Sequence, residues 1–259
     1  VLACPYSFKG SLTAAEAAAA MARGARRALP GALVTMLPLA DGGEGTLEAL
    51  AGPGARRRTG SVTGPLGAPV EAAYLILADG TAVIEMARAA GLLLVPRARR
   101  DPLRATTEGV GQLMADAVLR QGCRRLVVTL GGSATVDGGA GMARALGARL
   151  LDRAGRPIPP GGAGLLSLAT VDARPARRLL RGVAVLGVTD VRAPLLGPRG
   201  AARVFGPQKG ATPAQVRLLE RGLATFARVL QRDRGFQALR DGLQRDPGQR
   251  RVRSGLRAA

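Results

Sequence analysis

Apolar residues along the chain recur in two rhythms, short runs and helical stripes, and the two alternate. VLACP at residues 1–5 reads as a short buried strand that leads into the loop SFKGS. From Thr13 to about Leu29, TAAEAAAAMARGARRAL is helix-forming, and Thr13-x-x-Glu16 has the spacing of a capping box. LVTMLPL then predicts a second strand, followed by the loop ADGGEGT and a helix carrying Leu47 and Leu50. EAAYLILADGTAVIEMA predicts a hairpin turning at Asp79-Gly80. A helix is expected from about Thr106 to Arg120, and RRLVVTLGG is the clearest strand, running into SATVDGGAGMARALG, a glycine-rich loop that opens a helix. VAVLGV at 183–188 predicts another strand and Thr212 to about Leu230 a last helix. Strand–loop–helix alternation of this kind implies an α/β fold with a parallel sheet.

Composition narrows the function. With 259 residues and 47% apolar positions there is room for a large core or two modest ones. The formal charge of +20 invites a nucleic-acid reading. Aromatic platforms are nearly absent, however, and the arginines are spread from end to end, so a solvated basic surface is the better reading. Cys4 and Cys123 lie in or beside apolar runs and are expected as buried thiols in a reducing, cytoplasmic setting. No apolar run reaches membrane-spanning length. The absence of histidine removes the commonest general base and zinc ligand. The stretch 51–70 is rich in glycine, proline and arginine and reads as a crossing between domains.

The loops carry the candidate chemistry. In a parallel α/β sheet, ligands bind where loops leave the C-terminal ends of strands. SFKGS, ADGGEGT, GGSATVDGGAG and TDVRAP are expected at that edge. Glycines there let a phosphate approach unpaired backbone N–H groups. Of 38 basic residues only Lys9 and Lys209 are lysines, and each precedes a glycine. A compact ammonium follows a moving phosphoryl or carboxylate group in a way that arginine's planar fork does not. Asp41, Glu44, Asp137 and Asp190 are candidates to hold Mg²⁺ or to accept a proton from an attacking hydroxyl. GxxxxGK[ST] does not occur, nor does GxGxxG after a strand, and neither cysteine nor Ser133 has a histidine partner.

Seven motifs, SFKGSL, LADGGEGT, TGPLG-PV, VIEMA-A-GL, GGSAT-DGGAGM, TDV-APLLGPRGA and FGPQKGAT, occur in an order and spacing that resembles the bacterial two-domain glycerate kinases, from Val1 to about Leu230. The resemblance implies ATP-dependent phosphorylation of D-glycerate with magnesium. It implies two α/β domains with mostly parallel sheets, one interrupted by the other, with the active site in the cleft between them. Residues 1–62 would begin the first domain, 63–230 would form the second with a return segment, and 231–259 would be a basic, poorly ordered tail. Carried over by motif, Lys9 and Ser11 fall in the first binding loop, and Asp41, Gly42, Gly43 and Glu44 in the second. Gly132, Ser133, Thr135 and Asp137 fall in the glycine-rich loop, Asp190 after the VAVLGV strand, and Gln208 and Lys209 in the last motif. Lys9, Asp137 and Asp190 would be catalytic, with Asp137 and Asp190 on the metal. Which loop meets ATP and which meets glycerate stays open.

The chain departs from the family pattern at Tyr6, Val136 and Arg192-Ala193, where the family usually has Asp, Asn and Asp-Asn. One lost electrostatic contact to a phosphoryl group costs roughly 10²–10³ in rate in other systems. Residues 231–259 hold eight Arg against three Asp and do not resemble the family's glycine-rich continuation, so a truncated or frame-shifted end is expected. The alternative to glycerate kinase activity is an impaired relative that binds a small anionic metabolite or nucleotide without turnover.

Overall fold

The computed structural model describes residues 1–8, 11–40 and 42–232. Its nine strands are β1 (Leu2–Ala3), β2 (Thr35–Met36), β3 (Arg56–Thr63), β4 (Pro69–Ile76), β5 (Thr81–Glu85), β6 (Arg125–Thr129), β7 (Arg149–Leu151), β8 (Thr170–Asp172) and β9 (Ala184–Val188) among the described residues. The α-helices are α1 (Ala14–Ala28), α2 (Thr46–Leu50), α3 (Ala87–Ala90), α4 (Glu108–Leu119), α5 (Ala140–Ala145), α6 (Arg174–Leu179), α7 (Ala201–Phe205) and α8 (Pro213–Arg232). The α/β class holds. Five strands form one sheet in the order β3-β4-β5-β6-β9. It is parallel from β5 through β6 to β9 and antiparallel from β3 through β4 to β5. β1 and β2 pair in parallel beside α1, and β7 and β8 form an antiparallel pair.

Strand alternation sorts the core of the large sheet onto two faces. Ala82 and Ile84 of β5 join Tyr74, Leu126 and Val128 under α4, which contributes Val110, Leu113 and Met114. Val83 points the other way and packs with Leu75 against Leu47 of α2. Both faces of β5 are therefore covered, which explains why TAVIE reads as a continuous apolar run ending in an acid. In α8, Val216, Leu219, Leu223 and Phe226 recur at helical spacing and close over the same core.

Several expectations hold in detail. Thr13 accepts from the Glu16 N–H while Glu16 accepts from the Thr13 N–H at 2.8 Å, completing the capping box of α1. The hairpin turns at Asp79-Gly80, with Gly80 at φ +79°.

Others are corrected. The stretch 51–70 is mostly β3 and its turn into β4, because all eight residues of β3 pair in register with β4. The division expected between residues 62 and 63 falls inside β3. VLACP is only partly buried: Ala3 and Pro5 are covered, but Leu2 is 56% exposed and Cys4 is also exposed, since among the described residues β1 has only the two-residue β2 as a neighbouring strand. Cys123 is buried as expected. Of the tail 231–259, expected to be poorly ordered, the first two residues continue α8 to Arg232 and the rest lies outside the described residues. No helix among the described residues is long and apolar enough to cross a membrane.

Candidate active site

The C-terminal ends of β5, β6 and β9 lie side by side, and the loops that leave them are stitched together through backbone atoms. Leu130 N–H donates to the Val188 carbonyl at 2.9 Å, and Gly131 N–H donates to the Gly42 carbonyl at 3.1 Å. On the other side of the same loop, Leu92 N–H donates to Gly132 O and Ala134 N–H to Ala90 O, both at 2.8 Å. The contact between the two glycine loops leaves no room for a side chain on Gly131. A Cβ on Gly131 would stand 2.7 Å from Gly43 Cα, and one on Gly42 would touch Thr129 and the Val188 carbonyl at 3.6 Å. Three of the four expected loops thus converge on one sheet edge. The fourth loop follows β1, whose pairing with β2 continues through the Leu39 N–H, which donates to Pro5 O at 3.0 Å just before the second loop begins. Ser11 is exposed on a tight turn, its hydroxyl donating to Phe8 O at 3.2 Å. Lys9 and Asp41 lie outside the described residues.

Lys209 reaches the glycine-rich loop from below. Its Nζ donates to Ser133 Oγ at 2.9 Å and to the Thr135 carbonyl at 2.6 Å, and the residue is only 8% exposed. Burial pushes its pKa down to about 8, against the opposing pull of Asp137. The glycine that follows it serves the backbone rather than the ammonium. Gly210 ends the 3-10 turn Pro207–Lys209 at φ +93°, and a Cβ there would stand 2.7 Å from the Arg100 carbonyl. Gln208 contributes its carbonyl, which accepts from Arg100 Nη1 at 3.2 Å.

Asp137 departs most from expectation as a metal ligand or base. It is 1% exposed and points into the protein. Its Oδ2 accepts from Thr107 N–H, Thr107 Oγ1 and Gly141 N–H at 2.9, 2.8 and 3.1 Å, and its Oδ1 accepts from Gly139 N–H at 3.1 Å. A carboxylate with four donors already on it is a fastener between the start of α4 and the start of α5. Val136, one of the departures noted above, is buried core beside it. Asp190, by contrast, is exposed just past β9 and has no hydrogen-bond or ion-pair partner among the described residues. Glu44 is half-buried on the second loop.

Glu85, which VIEMA displays, is a further acid at this edge that the loop pattern does not point to. It ends β5 fully buried beneath α2, and its Oε2 accepts from Leu47 N–H at 3.2 Å. Its Oε1 has no hydrogen-bond partner, though Arg88 Nε lies 3.4 Å away. Arg88 also pairs with Glu48 at 2.7 Å, which Arg57 joins from β3 at 2.6 Å. Burial pushes the Glu85 carboxyl above the usual carboxylate range, with Arg88 opposing. A pKa raised by folding means that protonation favours the fold. The stabilising effect is fullest below the unfolded carboxylate value and is lost as pH rises through the shifted one. Glu85→Gln is expected to flatten this part of the stability-versus-pH curve in urea unfolding, while Glu85→Ala flattens it too and costs about 1–3 kcal/mol at the acid end, where the native carboxyl is protonated, by orphaning the Leu47 N–H. An unchanged slope in Glu85→Gln would show that the carboxyl does not titrate in this way.

Among the described residues no group of three or more Asp, Glu, Cys or His side chains is arranged to hold a metal ion. Magnesium commonly takes one or two carboxylates and completes its shell with water and phosphate oxygens, a set that the carboxylate of Asp190, unpaired among the described residues, fits. The cavity of about 640 Å³ between β3 and α4, lined by Thr63, Tyr74, Gln112 and Asp116, includes no residue of these loops.

A family model described as the glycerate kinase family matches residues 1–249. The chain belongs to that family. The match runs past residue 230, where the motif resemblance stops. The glycerate kinase of Bacillus subtilis (strain 168) is 50% identical over 229 residues, covering 88% of this chain and 60% of that protein. The glycerate 2-kinase of Escherichia coli (strain K12) is 46% identical over 233 residues, covering 89% of this chain and 61% of that protein. A solved structure from Salmonella typhimurium LT2, assigned to glycerate kinase 2, superposes with a TM-score of 0.77 at 46% identity. It covers 90% of this chain and 62% of its own. The chain therefore spans about three fifths of the length of the curated relatives it matches. The α/β architecture of the family is the one this chain adopts.

Proposed function

We propose that the chain carries out ATP-dependent phosphorylation of D-glycerate to a phosphoglycerate, in the cytoplasm where ATP is supplied. The observation that carries this reading is the interlocked pair of glycine loops at the sheet edge, in a chain of the glycerate kinase family. Gly42 and Gly43 meet Gly131 with no side chain between them, and Ser133 and Thr135 follow on the same loop. A glycine surface of this kind lets a row of phosphates come close to the backbone. Lys9 on the first loop would meet an anionic group of either substrate, and Ser11 and Glu44 would border it. Asp190 would hold magnesium together with phosphate oxygens, and the ion would neutralise charge on the phosphates. Asp137 is assigned to scaffolding, fixing the loop that carries Ser133. Phosphoryl transfer asks mainly for positioning and charge neutralisation, which a histidine-free chain can supply.

Purified protein is expected to release ADP from ATP only when both D-glycerate and Mg²⁺ are present, as followed by a coupled assay. Nucleotide binding without glycerate-dependent ADP release would overturn this reading and leave the impaired binder in its place.

A further inference from the structure

Resting on the kinase reading above, we infer that Ser133 and Lys209 together accept the proton of the hydroxyl being phosphorylated, Ser133 touching the substrate and Lys209 taking the charge behind it. The geometry supplies a path that works in both directions. As an ammonium, Lys209 Nζ donates to Ser133 Oγ at 2.9 Å and to the Thr135 carbonyl at 2.6 Å. As a neutral amine it keeps an N–H for that carbonyl and turns its lone pair to Ser133, whose O–H then donates to it. The division between the two is set by burial. Ser133 is partly exposed on the glycine-rich loop, whereas Lys209 is shut away from water at 8% exposure.

Among the described residues, few charges face Lys209. Asp137 acts on it from the loop above and pulls its pKa up, while burial pushes it down to about 8. Arg100 faces the adjoining turn, its guanidinium on the Gln208 carbonyl at 3.2 Å. Asp137 has four donors on its own oxygens and is not placed to receive a substrate proton.

The step balances without a further reactant. The substrate O–H bond breaks as the new O–P bond forms, and the bridging P–O bond of ATP breaks with its electron pair leaving on ADP. The substrate proton passes to Ser133 Oγ while the proton of Ser133 passes to Lys209 Nζ. The resulting ammonium then lies close to the transferring group and returns its proton to solvent through Ser133 after product leaves.

The scarcity of lysine makes the test direct. In the full chain labelled with ε-¹³C lysine, two side-chain signals are expected, and Lys209→Met identifies the second by its loss. That signal is expected to titrate near pH 8, because burial disfavours the ammonium, and to move in Ser133→Ala. The rate of ADP release should rise with pH through the same midpoint. Lys209→Met should abolish this limb and lower kcat by about 10²–10³, with KM for ATP changed by less than about threefold, and Ser133→Ala should lower kcat by about tenfold. A Lys209 signal that titrates only at the ordinary lysine value of about 10 overturns the inference whether or not the protein turns over. So does an active wild type whose basic limb survives in Lys209→Met, which leaves the kinase reading standing. A wild type that makes no ADP while Lys209 titrates near 8 overturns the kinase reading, and the inference with it.

Discussion

Asp137→Ala is expected to lower the thermal midpoint by roughly 10 °C, and Asp137→Asn by less than half of that, as measured by circular dichroism or calorimetry. Alanine leaves Thr107 N–H, Thr107 Oγ1, Gly141 N–H and Gly139 N–H without their acceptor. The first three are buried or nearly so, and a buried polar group left unpaired costs about 1–3 kcal/mol. With some relaxation the total should reach about 3–5 kcal/mol, a large share of a domain's stability. Asparagine can keep its carbonyl oxygen where Oδ2 sits, holding three of the four donors, and gives up chiefly the Gly139 N–H. A metal ligand or general base would give the opposite pattern, with activity abolished and the midpoint unmoved in Asp137→Asn. That result would reject the fastening role assigned to this carboxylate.

Gly131→Ala is the second large effect, and it should fall on turnover more than on folding. The added methyl group would stand 2.7 Å from Gly43 Cα and 2.8 Å from Gly43 N, both backbone atoms that cannot swing aside. The two glycine loops must then part, and the bond from Gly131 N–H to Gly42 O lengthens or breaks. Overpacking of this kind costs about 1–3 kcal/mol. A displacement of about 1 Å at positioning groups costs on the order of 10² in rate, so kcat for ADP release should drop by about that factor. Gly60→Ala makes the comparison, since Gly60 lies in β3 with nothing within 4 Å of the added carbon and should leave rate and stability nearly unchanged. Equal activity in Gly131→Ala and Gly60→Ala would show that the contact between the two loops plays no part in the reaction.

Local chemistry determined a good deal on its own. The capping box at Thr13, the hairpin at Asp79-Gly80 and the helical stripe of α8 are each set by residues within a few positions of one another. The rules of spacing and turn geometry therefore find them. The loops were located for the same reason, because glycine pairs after apolar runs mark strand ends. The assignment of acids to roles was not local. Asp137 and Asp190 sit in similar Asp-bearing loops, yet one has four donors brought to it, two of them from Thr107 thirty positions earlier, and the other stands exposed. Glu85 looked like the end of a strand until α2 covered it and left one oxygen without a hydrogen bond. Lys209 drew notice as a rare lysine beside a glycine. Only packing showed that the glycine serves the Arg100 backbone and that the ammonium serves Ser133. β3 was hidden because RRRTGSVT has little apolar character, and its pairing is decided by β4 beside it. Sequence fixes what a residue can donate, accept or fit, whereas burial and the arrival of distant partners decide which of those capacities is used.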